Sequence, residues 1–362
     1  MSESQGGNPI QVAVVVLLLV GGGWYFLRHY EIDGLDEISV SSKGDISDDE
    51  TYITYRDAPA VLAPGNAVGG AFMQPASEPN PFEVKPVSNK KRDTMPAAPV
   101  TRTIENLRIA SWALDGFGPT KLSNPSARQN VARVIRQFDV IALQQIASVE
   151  RDLVPRLVDA INHGDGRYDY VIGQPTGPRD RPEQLAFVFD TTRVHVDRRQ
   201  TYTLSDPDDQ MTFDPLVAWF RAAEASPTQA WTFSFVNVRI DLARAPSEVA
   251  LLPEIVKAIR NDGRGEDDLV LAGLFQADDA YLLPTIEGEK MRAAVRSLPT
   301  DIFGRYQTSN LLIETATNNE FVGRGGVYDY LRTFNLNIAE AETVSSQLPV
   351  YGEFVGTEGG RF

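Results

Sequence analysis

Between Ile104 and Phe354 the chain alternates short apolar runs with segments whose apolar residues recur at helical spacing, and few architectures satisfy that alternation. Leu107–Ala113 and Asp139–Leu143 have the composition of buried strands. Ser126–Phe138 between them sets Val131, Val134 and Ile135 on one helical face. Glu150–Ile161 repeats the helical pattern with Leu153, Leu157, Val158 and Ile161, and Ser247–Ile259 is a further amphipathic helix. Tyr168–Ile172, Gln184–Phe189, Trp231–Ile240, Asp268–Leu271, Asn310–Ile313, Val327–Phe334 and Val350–Phe354 read as strands. Strands and helices interleaved over roughly 250 residues predict one α/β domain over 104–356, a two-sheet α/β sandwich flanked by helices. Residues 357–362 read as a tail.

The domain is preceded by a different kind of sequence. Ile10–Leu27, IQVAVVVLLLVGGGWYFL, carries no charge and places Trp24 and Tyr25 near one end. A span of roughly 18–20 such residues crosses a hydrocarbon layer, and terminal aromatics suit its interface. No basic segment precedes it in the 1–9 leader and no small-x-small cleavage pattern follows, so it is read as a retained signal-anchor helix. The expectation is a single-pass membrane protein with the membrane as a partner through 10–27. Arg28 and His29 against Glu3 are too little charge to fix which side the domain faces. Residues 28–103 are first acidic, with Asp48, Asp49 and Glu50 adjacent, and then rich in proline, alanine, glycine and asparagine. Such a segment buries too little apolar surface to offset its chain entropy, and a disordered tether is expected.

Two properties of the whole chain restrict its chemistry. With no cysteine there are no disulfides, thiolate metal sites or cysteine nucleophiles. The formal net charge of −15 disfavours nucleic acid as a partner, because binding it needs a basic face that displaces counterions.

Five phrases fall in order at strand ends. They are SWALDG at Ser111–Gly116, LQQI at Leu143–Ile146, NVRI at Asn237–Ile240, GLFQAD at Gly273–Asp278 and SSQLPV at Ser345–Val350. Their order and spacing resemble the endonuclease/exonuclease/phosphatase superfamily, the group of pancreatic deoxyribonuclease. That family shows WN, QE, NxH, GDFN and SDH at these places. The resemblance implies a deoxyribonuclease-like fold over 104–354 and, in an active member, metal-dependent phosphoester hydrolysis. Such chemistry needs carboxylates to hold a divalent cation, a histidine base tuned by an aspartate, and donors for the anionic transition state.

The matching positions hold other side chains. The resemblance aligns the WN asparagine with Ala113, the metal glutamate with Gln145 and the NxH histidine with Arg239. It aligns the GDFN aspartate and asparagine with Leu274 and Gln276, and the SDH pair with Ser346 and Gln347. A further aspartate of a YDN-like phrase falls on Ser309, before Asn310. Glu183, in PEQLAF, keeps a family carboxylate whose usual role is to orient the missing histidine. The implied reading is a catalytically degenerate member, with no catalytic residues, metal or cofactor expected and a role in binding or scaffolding. An unidentified protein or a phosphorylated ligand is the expected partner, with Arg239 as a fixed cation able to grip an anion.

The alternative is an active hydrolase using magnesium or manganese at a site rebuilt near Glu183, Asp278 and Asp279. Asp115, His163 and His195 are other candidate ligands. Asp278 and Asp279 also suit a helix start, His163 in NHGDG a turn, and His195 in RVHVD a polar strand. GRGG at Gly323–Gly326 lacks a following P-loop lysine and is read as a turn. DPDD at Asp206–Asp209 lacks the alternating ligands of a calcium loop and is read as a solvated turn.

Overall fold

The computed structural model describes residues 106–360 apart from 165, 224 and 225. The expected anchor at 10–27 and tether at 28–103 lie outside the described residues. Among the described residues no helix is long and apolar enough to cross a membrane.

The elements follow in chain order as β1 (Asn106–Phe117), α1 (Pro119–Ser123), α2 (Pro125–Ile135), β2 (Val140–Ala147), α3 (Leu153–Ile161), β3 (Tyr168–Ile172) and β4 (Glu183–Asp190). Next come β5 (Val194–Thr203), β6 (Leu216–Ala222), β7 (Thr232–Arg239), α4 (Ala245–Val249), α5 (Leu252–Arg260), β8 (Leu269–Leu274) and α6 (Asp279–Thr285). The domain closes with β9 (Met291–Ala293), β10 (Ser309–Glu314), β11 (Phe321–Val327), α7 (Tyr330–Phe334), α8 (Ile338–Val344) and β12 (Val350–Val355). They build two six-stranded mixed sheets, ordered β11-β12-β1-β2-β4-β3 and β5-β6-β7-β8-β10-β9. Each sheet holds one parallel pair, β1 with β2 and β7 with β8, among antiparallel neighbours. A parallel pair needs a crossover; α1 and α2 supply the first, α4 and α5 the second.

The sheets face each other through a cluster that includes Phe187, Phe220, Trp231, Phe233, Phe235 and Phe354. Trp231 stacks on Phe233 at 4.1 Å and on Phe354 at 4.9 Å between ring centroids. Burying each such ring stabilises by about 1.5–3 kcal/mol. The outer face of the first sheet packs on α1, α2, α3, α7 and α8, through residues such as Val131, Leu157 and Val344. The outer face of the second packs on α4, α5 and α6 through Val249, Val256 and Leu282. The expected α/β sandwich of two helix-flanked sheets is therefore present.

Local signals explain several boundaries. Asn124 caps α2, its Oδ1 accepting from the Ser126 and Ala127 amides at 3.0 and 3.2 Å. The helix expected over Ser247–Ile259 is two helices, α4 and α5, and Pro253 opens the second because its ring suits a first turn and not an interior. The strand expected over Val327–Phe334 is a strand only to Val327. Asp329 then accepts from the Arg332 amide and starts α7. Gly323–Gly326, read as a turn, lies within β11, where the register shifts between Phe321 and Gly325. A Cβ on Gly325 would stand 2.3 Å from the Ala294 carbonyl oxygen, so glycine there admits a passing backbone.

Candidate functional site

The parallel strands of both sheets run toward the same end of the sandwich, and the five phrases meet there. β1 and β2 bring Ala113 opposite Gln144. β7, β8 and β10 set Arg239, Leu274 and Ser309 in one cross-sheet row. The segment before β12 closes the ring: Ser345 Oγ donates to the Ala113 carbonyl at 2.8 Å, and the Gln347 amide donates to Ser345 Oγ at 3.0 Å. Gln347 Oε1 accepts from the Thr308 hydroxyl at 2.8 Å, beside Ser309. The Asp115 amide donates to Gln145 Oε1 at 3.2 Å, and the Ser346 amide to Asp115 Oδ2 at 3.4 Å.

The backbone of this end is strained in three places. Asp115, Gln145 and Gln276 all have positive φ, at 50, 59 and 55°. A glutamine pays about 1–2 kcal/mol in this left-handed region, and such outliers gather at functional sites. The bulge in β2 between Leu143 and Ile146 contains Gln145 and aims successive side chains differently. Gln144 turns into the core, where Nε2 donates to Asn237 Oδ1 at 2.6 Å and to Ser111 Oγ at 3.0 Å. Asn237 Nδ2 donates in turn to the Leu143 and Ala186 carbonyls at 3.0 and 3.1 Å. This buried network ties the two sheets together beneath the site. Gln144 and Asn237 keep the first letters of the QE and NxH phrases, and nothing in either phrase showed that they pair.

Glu183 opens β4 and Arg239 ends β7, and their side chains meet across the sheets with Nε 3.3 Å from Oε2. Both side chains are about nine-tenths buried, at 11% and 8% exposed. The guanidinium also donates through Nη1 to the Ile240 carbonyl and lies 4.6 Å from the centre of the Phe213 ring. Burial pushes the Glu183 carboxyl above its ordinary value, and the facing Arg239 charge opposes that rise. Arg239 is thus engaged within the chain on three sides. An external anion would have to displace Glu183.

A divalent cation in this place would need hard, anionic oxygens. The aligned side chains supply a methyl group at Ala113, amides at Gln145, Gln276 and Gln347, hydroxyls at Ser309 and Ser346, and an isobutyl group at Leu274, 1% exposed. Glu183 is their one carboxylate, and it faces Arg239. Of the aligned side chains only Glu183 could offer a divalent metal an anionic oxygen, and a further carboxylate beside them is Asp115, next to Gln145 and Ser346.

The relocated site is not assembled among the described residues either. Asp278 Oδ1 caps α6 by accepting from the Tyr281 amide at 2.9 Å, and Asp279 Oδ1 accepts from the Ser297 amide at 2.9 Å. Glu183, Asp278 and Asp279 do not gather into one three-carboxylate group, and the one such group among the described residues lies elsewhere. His163 follows α3 in a bend and His195 stands exposed on β5.

No family model matches the chain. Deoxyribonuclease gamma of Rattus norvegicus is 25% identical over 265 residues, which are 68% of this chain and 83% of that protein. Deoxyribonuclease-1 of Bos taurus is 26% identical over 183 residues, 49% of this chain and 63% of that protein. Among solved structures, an endonuclease/exonuclease/phosphatase family protein from Bacteroides thetaiotaomicron aligns with a TM-score of 0.50 at 16% identity, over 69% of this chain and 95% of that one. A mannosyl-6-phosphatase of the same organism aligns with a TM-score of 0.50 at 16% identity, over 69% and 99%. The fold is that of the deoxyribonuclease-like α/β sandwiches. Together these relatives and neighbours support the endonuclease/exonuclease/phosphatase superfamily for this chain.

Proposed function

We propose that this chain is a membrane-tethered, non-catalytic endonuclease/exonuclease/phosphatase-like protein that acts by binding or scaffolding. The observation that carries the proposal is the Arg239–Glu183 pair at 3.3 Å. The family carboxylate kept at Glu183 is neutralised here by the buried guanidinium of Arg239, which stands where the family's NxH histidine aligns. The aligned metal carboxylate is Gln145 and the aligned base is Gln347, an amide that accepts from Thr308. Losing one member of a coupled catalytic set costs orders of magnitude in rate, and this site has exchanged several. The uncharged run Ile10–Leu27 supports the tether. The chain's charge of −15 favours a protein or a phosphorylated ligand over nucleic acid.

The relatives' names, deoxyribonucleases, favour a second reading, a magnesium- or manganese-dependent phosphodiesterase rebuilt around Glu183, Asp278 and Asp279. One assay separates the two. The full chain is incubated with magnesium, manganese or calcium on duplex DNA, RNA and simple phosphoesters. The non-catalytic reading expects rates equal to those of the metal-only control. Turnover that Glu183→Ala abolishes, with the circular dichroism spectrum unchanged, overturns it.

A further inference from the structure

At the other end of the same strands a second group of side chains meets, and its chemistry is unlike that of the site above. Asp268 immediately precedes β8, so it stands six residues, roughly 20 Å along an extended strand, from Leu274. Glu320 precedes β11, and Glu358 follows β12. Carboxylate oxygens of all three lie within 4.8 Å of one another. Asp268 is 2% exposed and Glu320 1% exposed, while Glu358 is at the surface.

The two buried carboxylates are only half satisfied. Asp268 Oδ2 accepts from Trp231 Nε1 at 2.7 Å, and Glu320 Oε1 from the Gly359 amide at 2.6 Å. Asp268 Oδ1 and Glu320 Oε2 are buried, receive no hydrogen bond from any other group among the described residues, and are left with only a proton shared between the two carboxyls. A buried acceptor left in this state costs about 1–3 kcal/mol, and more when charged.

The other sheet shows how the same position is handled when the chain supplies its own counter-charge. Asp139 immediately precedes β2, the second strand of that sheet's parallel pair, as Asp268 precedes β8. Asp139 accepts from the Arg108 amide at 2.7 Å and faces Arg193 at 3.2 Å. Asp268 faces two further acids where Asp139 faces an arginine. Burial and the Glu320 charge push its carboxyl up to about 8, and burial with Glu320 also raises Glu358.

We propose that Asp268, Glu320 and Glu358 form a structural site for a hard divalent cation of the calcium class. The donors are all oxygen, which excludes a preference for softer ions. Calcium–oxygen distances of about 2.3–2.6 Å give a shell roughly 4.6–5.2 Å across, the span over which these oxygens gather. The exposed Glu358 gives the ion a path from solvent. Bound there, the cation ties the start of β8 to the segments flanking β11 and β12 and so links the two sheets at the end remote from the superfamily-like site. The proposal is independent of whether that site turns over a substrate.

Trp231 supplies the test, because its indole donates to Asp268 and would sensitise a lanthanide bound there. The full chain, stripped with a chelator, is titrated with terbium under tryptophan excitation and then with calcium or magnesium as competitor. Saturable terbium emission displaced by calcium more readily than by magnesium is expected. Calcium in roughly 100-fold excess over its dissociation constant should raise the melting midpoint by about 5–10 °C. Glu358→Gln, an exposed change, should weaken calcium roughly 10–100-fold while leaving the calcium-free melt unchanged. Asp268→Asn, which keeps an acceptor for Trp231, should do the same or more. A wild-type chain indifferent to calcium and terbium overturns the site, as does a response that both variants retain. Loss of stability with rising pH and no cation effect would mean that the acids share a proton only, and that also overturns it.

Discussion

Arg239 at the end of β7 and Glu183 at the start of β4 neutralise each other across the two sheets, 3.3 Å apart and out of contact with most solvent. Neither charge is stable in that setting alone. Glu183→Ala should destabilise the domain by about 3–5 kcal/mol, because it leaves a buried guanidinium unpaired. The double replacement Arg239→Met with Glu183→Leu should fall within about 1 kcal/mol of wild type or exceed it. Urea unfolding of the three proteins checks this. Equal losses in the single and double variants would mean that the pair is held by something other than mutual neutralisation.

The same pair sets a pH dependence. Burial holds the folded-state pKa of Glu183 above the ordinary glutamate value of 4.5, with Arg239 limiting the rise. The folded chain therefore binds more protons than the unfolded chain between those values. The contribution is fully present below the ordinary value and is lost as pH rises through the raised one. In Glu183→Gln that component of the slope disappears, so the difference between the unfolding free energies of wild type and variant should change with pH across this window and be flat above it.

The Gln144–Asn237 bond at 2.6 Å is a second link between the sheets, and it is wholly buried. Asn237→Leu should cost about 2–3 kcal/mol, since it strands Gln144 and two carbonyls, those of Leu143 and Ala186. Hydrogen exchange should report the loss first at the β2 bulge and the facing stretch of β4, where those carbonyls lie.

Two substitutions at neighbouring cross-strand pairs of β8 and β10 should act in opposite directions. Ser309 Oγ is buried without a hydrogen-bond partner among the described residues, so Ser309→Ala should be neutral or stabilise by up to about 1 kcal/mol. Gly273, one step before Ser309's partner Leu274, has no room: a Cβ there would stand 2.1 Å from the Val238 carbonyl oxygen of the neighbouring strand. Gly273→Ala should cost about 3 kcal/mol or more, because backbone cannot yield as a side chain can. Melting midpoints of the two variants decide both points.

The strand ends were legible because parallel strands buried on both faces read as continuous apolar runs, as in DVIAL and DLVL. Tyr168–Ile172 was legible to the residue. β5 was visible only in its RVHVD segment, because an edge strand with much of its length half-buried or exposed carries little alternation. The aromatic residues around Tyr330 mimic a strand, and the Asp329 cap that overrides them depends on one hydrogen bond. For the site, each position was visible and the pairings were not. Glu183 and Arg239 are 56 residues apart, and only the closing of one sheet on the other brings them together. Asp268 and Glu320 stand in two separate connections, Glu358 lies after the last strand, and the three share no motif.

The last strand, β12, lies between β11 and β1, so Val350 pairs with Ser111 across about 240 residues of chain. A ribosome adding about 5–20 residues per second needs tens of seconds to cover that distance. Throughout that interval β1 offers one unpaired edge, and the first sheet cannot close. The domain's most vulnerable period is therefore its synthesis. A stop codon or protease cut just ahead of Val350 should remove more than one strand's worth of structure: it would leave the centre of that sheet open to whatever extended chain arrives first.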